Sequence, residues 1–341
     1  MLRVGELTAA DVQEWRRLCE SVPQLISPFY AYAYALAVAE TGREVRICRL
    51  QREGAPVGFL PFQFAGAIER TLGAGEPLGG SMTDYVGIIA RPDVQIAPAG
   101  LLRACRLNYF AFTHLDRPQL EYGLQAETSE PGLRIVMGAD ARSYWDTLRT
   151  TDGKFVGDTE RRERQLATQV GELQLTFETT DAAVLEHLIA EKRRQYRDTH
   201  VPDALAEPWK IQLLNNLMKQ QDPGCQPILS TLRAGSTWVA SHLGLRHGPV
   251  LHYWFPVYNP ELRRYSPGRL LLKTILRAAS ERGVQVIDRG AGASEAKRDL
   301  ANESHDYFSG VWHRNGPRAF SFRAIQSARW RRQARLAKPS A

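Results

Sequence analysis

Apolar residues recur along this chain with two periods, one typical of helices and the other typical of half-buried strands. In the first half, two helix-like segments precede a pair of apolar runs that the turn QREGA separates, so the pair is predicted to form a hairpin. The helices predicted here are 8–21, 28–40 and 98–106, and the strands are 44–50, 56–64, 84–90 and 107–114.

The second half repeats this order of elements. The helices predicted here are 181–197, 204–221, 268–282 and 294–302, and the strands are 226–232, 237–245, 249–258, 284–288 and 307–313. Two halves with the same order suggest an internal duplication. We therefore predict α+β domains at 1–150 and 171–315, a linker helix at 151–170, and a basic tail at 316–341.

The composition is that of an ordinary globular protein. The 341 residues are 43% hydrophobic and 24% charged, and a chain of this length can form two hydrophobic cores. The four cysteines are far apart and lack metal-ligand or redox spacing, which favours reduced thiols in a cytoplasmic protein. The N-terminus has no signal-peptide pattern and is read as a helix capped by Thr8, while the apolar stretch 29–39 is too short to span a bilayer.

The net charge of +7 is concentrated near the C-terminus. Eight basic residues and no acidic residue follow Asp306, and without them the chain has 36 basic and 37 acidic residues. Such a tail favours an anionic partner, for example lipid headgroups at the inner face of the cell membrane, nucleic acid or an acidic protein. The alternative is a solvated terminus without a partner.

The stretch RYSPG, which links the strand predicted at 249–258 to a helix, is the strongest candidate for a ligand-binding turn. The start of a helix presents free backbone N–H groups and a partial positive charge, which together bind phosphate. Gly268 lets a ligand approach the backbone, Pro267 fixes φ, and the arginines beside them suit phosphate oxygens. Pro and Gly are also common in turns that bind nothing.

The order of elements around this turn resembles that of the GNAT N-acyltransferase superfamily. The blocks LPFQF, DYVGII, RRERQL, VYNPELRRYSPGRLLL and VIDRGAG further resemble the cellulose-biosynthesis-type acyltransferases, which are related to the Fem-type peptidoglycan transferases. The likeness covers most of residues 10–315. It implies two tandem GNAT-like domains, each an α/β/α sandwich with a mixed central sheet, and acetyl-CoA or another acyl-CoA as co-substrate.

The resemblance also implies which residues bind that co-substrate, because the turn after the fourth strand cradles the pyrophosphate of acyl-CoA in the superfamily. The residues at this place are Arg263, Arg264, Tyr265, Ser266, Pro267, Gly268 and Arg269. The corresponding turn of the N-terminal half, 90–100, has Asp93 and no glycine where phosphate would meet the backbone. That half is therefore expected to support the acceptor site instead.

Direct attack of an amine on a thioester requires a group that takes the amine proton and a group that protonates the leaving thiolate. Asp84 with Tyr85 can orient or deprotonate the amine, His252 can serve as a base, and Tyr258 can protonate the thiolate, although packing explains a strand histidine or tyrosine as well. Asp288 ends a strand where ligand groups gather. The catalytic candidates are Asp84, Tyr85, His252, Tyr258 and Asp288.

Two lysines are candidates for binding the acceptor. Lys192 belongs to a basic helix face that can line a groove for an anionic acceptor, and Lys297 follows the Asp288 loop and can hold a phosphate or carboxylate; solvated positions are the alternative for both. The eight histidines show no ligand spacing, so no metal is predicted.

Three functions remain open at this point. The first is an acyl-CoA-dependent N-acyltransferase, in particular an acetyltransferase, that acts on an amino sugar, a lipid-linked sugar or a similar amine in bacterial exopolysaccharide or cell-envelope synthesis. The second is a Fem-like transferase that uses aminoacyl-tRNA for peptidoglycan, and the third is a non-catalytic scaffold of a membrane complex. Fold does not decide among their substrates.

Overall fold

The computed structural model describes residues 1–138 and 140–314, so the predicted basic tail lies outside the described residues. Contacts divide the chain into two units. Among the described residues, the first contains Met1–Gln24, Val38–Ser129 and 307–314, and the second contains Leu25–Ala37 and Glu130–Asp306. These boundaries differ from the predicted ones, because residues 130–150 pair and pack within the second unit and a short early segment also joins it.

The first unit is a mixed sheet with helices. Its helices are α1 (Ala9–Ser21), the end of α2 (Tyr32–Ala39), α3 (Ala67–Leu72) and α4 (Pro98–Ala104). Its strands are β1 (Glu44–Arg52), β2 (Ala55–Phe64), β3 (Ala74–Pro77), β4 (Ile89–Ala90), β5 (Tyr109–Asp116) and most of β12 (Glu303–His313). The strand order is β1-β2-β3-β5-β12, with β4 paired to β2; β3 and β5 are parallel and the other pairs antiparallel.

The predicted start of α1 is confirmed. The Asp11 N–H donates to the Thr8 hydroxyl at 3.1 Å, and the Asp11 carboxylate accepts from the Thr8 N–H at 3.0 Å, which forms a capping box. Trp15 on this helix is fully buried and stacks on Phe59 of β2, with ring centroids 5.0 Å apart. The helix is thus fixed to the sheet by an aromatic pair.

The second unit has its own mixed sheet. Its helices are the start of α2, α5 (Ala141–Thr151), α6 (Gly153–Gln169), α7 (Ala182–Asp198), α8 (Pro208–Met218), α9 (Pro267–Ser280) and α10 (Glu295–Arg298). Its strands are β6 (Thr128–Val136), β7 (Leu173–Thr176), β8 (Gln226–Ala234), β9 (Thr237–His247), β10 (Val250–Tyr258) and β11 (Val286–Ala291). The order is β6-β11-β10-β9-β8-β7, with only β10 and β11 parallel among these neighbours.

Strands β10 and β11 separate after three paired residues. Their register ends at the pair His252–Asp288, and a bulge in β10 follows between His252 and Phe255. Pro256 lies in the part of β10 that no longer pairs with β11, although it still pairs with His242 of β9. Its carbonyl accepts a hydrogen bond from a side chain of α7. Because N and O of one strand residue point to the same side, the proline nitrogen faces the gap, where no ladder bond is lost. The two strands therefore form a V that opens beyond His252.

Helix α9 covers the second sheet with one apolar face. Leu270, Leu271 and Ile275 are fully buried in the main core of this unit. Burial of each such side chain stabilises the fold by roughly 1.5–3 kcal/mol. This packing fixes the direction of α9 and the position of its first turn.

Several predicted elements need correction. The predicted strand 84–90 is reduced to Ile89–Ala90, because the preceding residues follow an irregular path with a single bridge from Val86 to Leu115. The predicted linker helix 151–170 corresponds to α6, whereas the predicted helix 294–302 is only Glu295–Arg298. Five elements that the pattern did not reveal are β3, β6, β7, α3 and α5. No helix among the described residues is both long and apolar enough to cross a membrane.

Candidate active site

The predicted RYSPG turn lies at the open end of the V, where it starts α9. Ser266 adopts a left-handed conformation with φ of 54°, and Pro267 is the first helical residue. The N–H groups of Arg269 and Leu270 both donate to the Ser266 carbonyl, at 2.9 and 3.1 Å. The turn therefore has fewer free amides than the sequence suggested. Within the described part of the chain, no backbone carbonyl accepts from the Gly268 N–H.

Gly268 leaves space above this first turn. A Cβ built on Gly268 would have a single neighbour within 4 Å, the Cδ1 atom of Tyr258 at 3.8 Å, and its φ is not positive. Neither backbone strain nor internal packing therefore requires glycine here. A ligand that approaches the amide closely is a physical reason for the missing side chain.

The turn opens into a cleft of about 430 Å³ between the separated strands, α7 and the segment around α10. The residues that line it are Lys192, Gln195, Tyr253, Pro256, Tyr258, Arg263, Ser266, Pro267, Gly268, Arg269, Leu272, Arg289, Ala296, Asp299 and Leu300. Four of them are cationic and one, Asp299, is acidic. The cleft is thus a positive site that suits an anionic ligand.

The three predicted arginines differ in their surroundings. Arg263 is exposed at the rim, and Arg264 is exposed and lies over the Tyr265 ring at 4.7 Å. Arg269 is already engaged, since its Nη1 donates to Asp158 at 3.2 Å and its Nη2 to Asp299 at 3.4 Å. Arg263 is therefore the arginine most available to a phosphate group.

Tyr265 lies under the turn. It is 2% exposed, and its hydroxyl donates to Gln169 Oε1 at 2.5 Å. This position makes Tyr265 a support of the turn and keeps its hydroxyl away from the cleft lining.

Lys192 reaches the cleft from α7. Its Nζ donates to the Pro256 carbonyl at 2.9 Å and to Gln195 Oε1 at 3.2 Å. Burial lowers the pKa of Lys192 from the usual 10.5 to about 8, because the ammonium is removed from water without an acidic partner. Lys192 thus lines the same cleft as the RYSPG turn.

At the point of the V, three strands place ionisable groups side by side. His252 of β10 is in register with Asp288 of β11, and Asp288 is in register with Arg134 of β6. Asp288 Oδ2 accepts from Arg134 Nε at 3.0 Å, and Asp288 Oδ1 accepts from the Gly290 N–H at 2.8 Å and lies 3.8 Å from His252 Nδ1. The structure therefore brings His252 and Asp288 together, both about 1% exposed.

His305 completes this cluster from the first residues of β12. Its Nε2 lies 3.9 Å from Asp288 Oδ2, and burial, against the opposing effect of Asp288, lowers the pKa of His305 to about 4. His305 is therefore neutral at pH 7. The sequence analysis missed both His305 and Arg134. The strand that carries His305 was predicted to begin only at residue 307, and the strand that carries Arg134 was not predicted at all.

Successive strand residues point to opposite faces of a sheet, so the residues beside this cluster face the cleft. Tyr253 follows His252, Arg289 follows Asp288, and both line the cleft. His252 instead packs edge-on against Phe29, with centroids 4.8 Å apart. The point of the V thus separates the cleft from a buried histidine–carboxylate pair.

The remaining predicted residues lie elsewhere. Tyr258 is in the cleft lining, while Lys297 Nζ donates to the Ala291 carbonyl at 2.6 Å and helps to close the loop after β11. Asp84 and Tyr85 lie in the first unit: Asp84 is 4.0 Å from His114 Nε2, and Tyr85 is buried with its ring 5.3 Å from that of Tyr307. Within residues 1–138 and 140–314, no group of three or more His, Cys, Asp or Glu side chains is arranged to hold a metal.

Comparison with known proteins adds to this geometry. The profile of the acetyltransferase (GNAT) domain matches residues 154–298. A search of curated protein sequences found no significant relative.

Three solved structures are similar in fold. FemX has a TM-score of 0.59 at 10% identity, over 89% of this chain and 96% of its own. The C-terminal domain of a protein provisionally assigned as a lysylphosphatidylglycerol synthetase from Agrobacterium fabrum has a TM-score of 0.56 at 10% identity. The match covers 93% of this chain and 96% of that domain. A conserved protein of unknown function from Bacteroides thetaiotaomicron has a TM-score of 0.53 at 10% identity. The match covers 89% of this chain and 97% of that protein.

These similarities extend over residues of both units, and at 10% identity they concern the fold. The predicted fold class is confirmed, with a mixed sheet, helices and the separated strands of the second unit. The chain has the GNAT fold, and residues 154–298 match the acetyltransferase (GNAT) domain.

Proposed function

We propose that the protein is an acyl-CoA-dependent N-acyltransferase of the cellulose-biosynthesis type. Its acceptor is an amino sugar or a similar amine, free or lipid-linked, in bacterial exopolysaccharide or cell-envelope synthesis. The observation that carries the proposal is the space above Gly268, which opens a helix N-terminus into a cationic cleft between separated strands. A phosphate group on an extended donor fits this combination.

In this proposal the diphosphate of CoA binds the Gly268 amide, with Arg263 as the nearby free cation. The pantetheine arm then extends along the unpaired edge of β10, as a peptide strand adds to a sheet edge. The Pro256 carbonyl is an acceptor on that edge, which Lys192 occupies in the present structure. An amide N–H of the donor can replace or join the ammonium there.

The acyl carbonyl lies at the point of the V. The lone pair of the acceptor amine attacks the carbonyl carbon, the C–N bond forms, and the C–S bond breaks. The amine proton passes to His252, directly or through one water, with His252 held by Asp288 and Arg134. The thiolate leaves with a proton from the Tyr258 hydroxyl.

The test is calorimetric titration of CoA and acetyl-CoA into the wild type and two variants. Gly268→Asp puts a carboxylate at the phosphate position, while Asp in a first helical turn does not harm the helix itself. Gly153→Asp makes the same change in the first turn of α6, where nothing lies within 4 Å of the new Cβ. The proposal is supported if the wild type binds the ligands, Gly268→Asp abolishes that binding and Gly153→Asp preserves it. Absence of wild-type binding to either ligand contradicts it.

A transferase that uses aminoacyl-tRNA is the alternative, since FemX is among the structures with this fold. The positive cleft suits both CoA and tRNA, but the opening at Gly268 and the V between β10 and β11 favour CoA, which is the smaller of the two. Titration with tRNA at 50 and 200 mM salt separates the two, because contacts with many phosphates make binding steeply salt-dependent. Salt-sensitive tRNA binding without CoA binding would favour the alternative, and binding of neither would favour the scaffold.

A further inference from the structure

The cleft contains a second pair of polar groups next to the point of the V, and neither was predicted from the sequence. Tyr253 directly follows the last paired residue of β10, and Arg289 directly follows that of β11. Both side chains line the cleft that Gly268 also lines. They therefore lie where the two strands begin to separate.

These two side chains lack the partners that buried polar groups normally have. Tyr253 is 7% exposed and stacks on His242, and its hydroxyl has no hydrogen-bond partner among the described residues. Arg289 donates through Nη1 to the carbonyls of Ala296 and Lys297, at 2.9 and 2.8 Å, while its buried Nε has no acceptor. Burial also lowers the pKa of the Arg289 guanidinium, as expected of a poorly solvated cation.

No carboxylate in the described part of the chain compensates this guanidinium by a hydrogen bond. The acidic residue of the cleft lining, Asp299, is 3.4 Å from Arg269 and makes no hydrogen bond to Arg289. Arg289 is half-buried, Asp299 favours its charge only through space, and its buried Nε has no acceptor, so part of the desolvation cost of this cation remains uncompensated. A bound oxyanion would remove that cost, because it accepts from both a guanidinium and a phenol hydroxyl.

We propose that Arg289 and Tyr253 bind a carboxylate at the far end of the acyl group, so that the preferred donor is a dicarboxylic acyl-CoA such as succinyl-CoA. This inference rests on the proposed function, because it assumes that CoA occupies the cleft. The phosphate turn then holds one anionic end of the donor and the Arg289–Tyr253 pair holds the other. An acetyl group has no carboxylate to offer the pair, so it leaves both side chains without an anionic partner.

The experiment compares four ligands by calorimetry: CoA, acetyl-CoA, butyryl-CoA and succinyl-CoA. Butyryl-CoA matches succinyl-CoA in length and lacks its carboxylate. For the wild type we expect succinyl-CoA to bind about 10- to 100-fold more tightly than butyryl-CoA, as for a hydrogen-bonded charged group. Tyr253→Phe, which keeps the ring and its packing, should reduce this ratio by about tenfold. Arg289→Met should abolish it.

Tyr144→Phe is the matched control. Tyr144 is also buried near Arg289, but its hydroxyl bonds to the Leu300 carbonyl and is not in the cleft lining. This variant should keep the wild-type ratio. The Tyr253→Phe result stands even if Arg289→Met fails to fold, because the phenylalanine variant removes one oxygen atom.

The possible outcomes are distinct. Equal wild-type affinity for butyryl-CoA and succinyl-CoA overturns the inference and leaves the proposed function intact. If Arg289→Met weakens CoA as much as succinyl-CoA, Arg289 binds a CoA phosphate and the carboxylate assignment is wrong. If neither CoA nor any acyl-CoA binds the wild type, both the proposed function and this inference fail.

Discussion

Replacing Gly268 by alanine should stabilise the fold and at the same time weaken donor binding. The added methyl has one neighbour within 4 Å, Tyr258 Cδ1 at 3.8 Å, which is an ordinary contact distance. Since φ at Gly268 is not positive, alanine fits without strain, and the unfolded chain loses freedom. We expect a gain of about 0.4–1 kcal/mol in the free energy of unfolding, with about 2–4 °C in Tm for each kcal/mol in a unit of this size.

Binding should change in the opposite direction. A phosphate oxygen must come within about 2.9 Å of the Gly268 nitrogen to accept its hydrogen bond. A methyl on the adjacent carbon interferes with that approach, and a hydrogen bond to a charged group contributes roughly 1.5–3 kcal/mol. Losing it weakens CoA binding by about 10- to 100-fold.

Urea unfolding and calorimetric titration of CoA measure the two effects on the same samples. Gly157→Ala is the control, because Gly157 lies on an exposed position of α6 with nothing within 4 Å of the new Cβ. It should stabilise the protein by about 0.5–1 kcal/mol and leave CoA affinity unchanged. If Gly268→Ala binds CoA as well as the wild type does, Gly268 is simply a turn residue and the phosphate cradle is refuted.

Three further outcomes follow from the structure. Between about pH 8 and 10.5, the free energy of unfolding of the wild type should rise relative to that of Lys192→Met. In this range Lys192 holds a proton in the unfolded chain that it has released in the folded protein. Identical pH slopes of the two proteins in urea titrations would contradict this. Asp288→Asn, which leaves the Arg134 guanidinium without its buried partner, should cost about 3 kcal/mol by urea unfolding, whereas Asp93→Asn in an exposed ion pair should leave the stability nearly unchanged. Deleting residues 317–341 should reduce salt-sensitive pelleting with phosphatidylglycerol vesicles, and equal pelleting would remove the membrane contact.

The place of the RYSPG turn at the start of α9 was predictable because its signals are local, and phosphate binding there stays a prediction. Pro267 and Gly268 stand next to arginines between a continuous apolar run and an amphipathic helix, and each residue acts on its own backbone. Sequence alone does not distinguish Arg263, which is exposed, from Tyr265, which supports the turn from below. Burial depends on the helix packed beneath, and that contact joins residues about a hundred positions apart.

The ionic cluster was only half predictable for a related reason. His252 lies within one recognisable apolar run and Asp288 ends another, whereas Arg134 lies on a strand interrupted by Pro131 and Gly132. Such a strand shows no clean alternation, so neither its existence nor its register follows from the pattern. The side-by-side placement of Arg134, Asp288 and His252 depends on strand order, which a single sequence does not specify.

In the proposed function, the separation of β10 and β11 lets one unit hold a donor and activate an acceptor without a covalent intermediate. Pro256 cannot donate to a neighbouring strand, so the edge of β10 stays open and a ligand can occupy the place of the missing strand. At the last paired position the alternation of side chains places His252 and Asp288 on one face and Tyr253 and Arg289 on the other. A thioester in the gap is therefore accessible to a proton acceptor from one face while its acyl chain contacts the opposite face. Direct attack by an amine needs this two-sided access, and a continuous ladder between the two strands would close it.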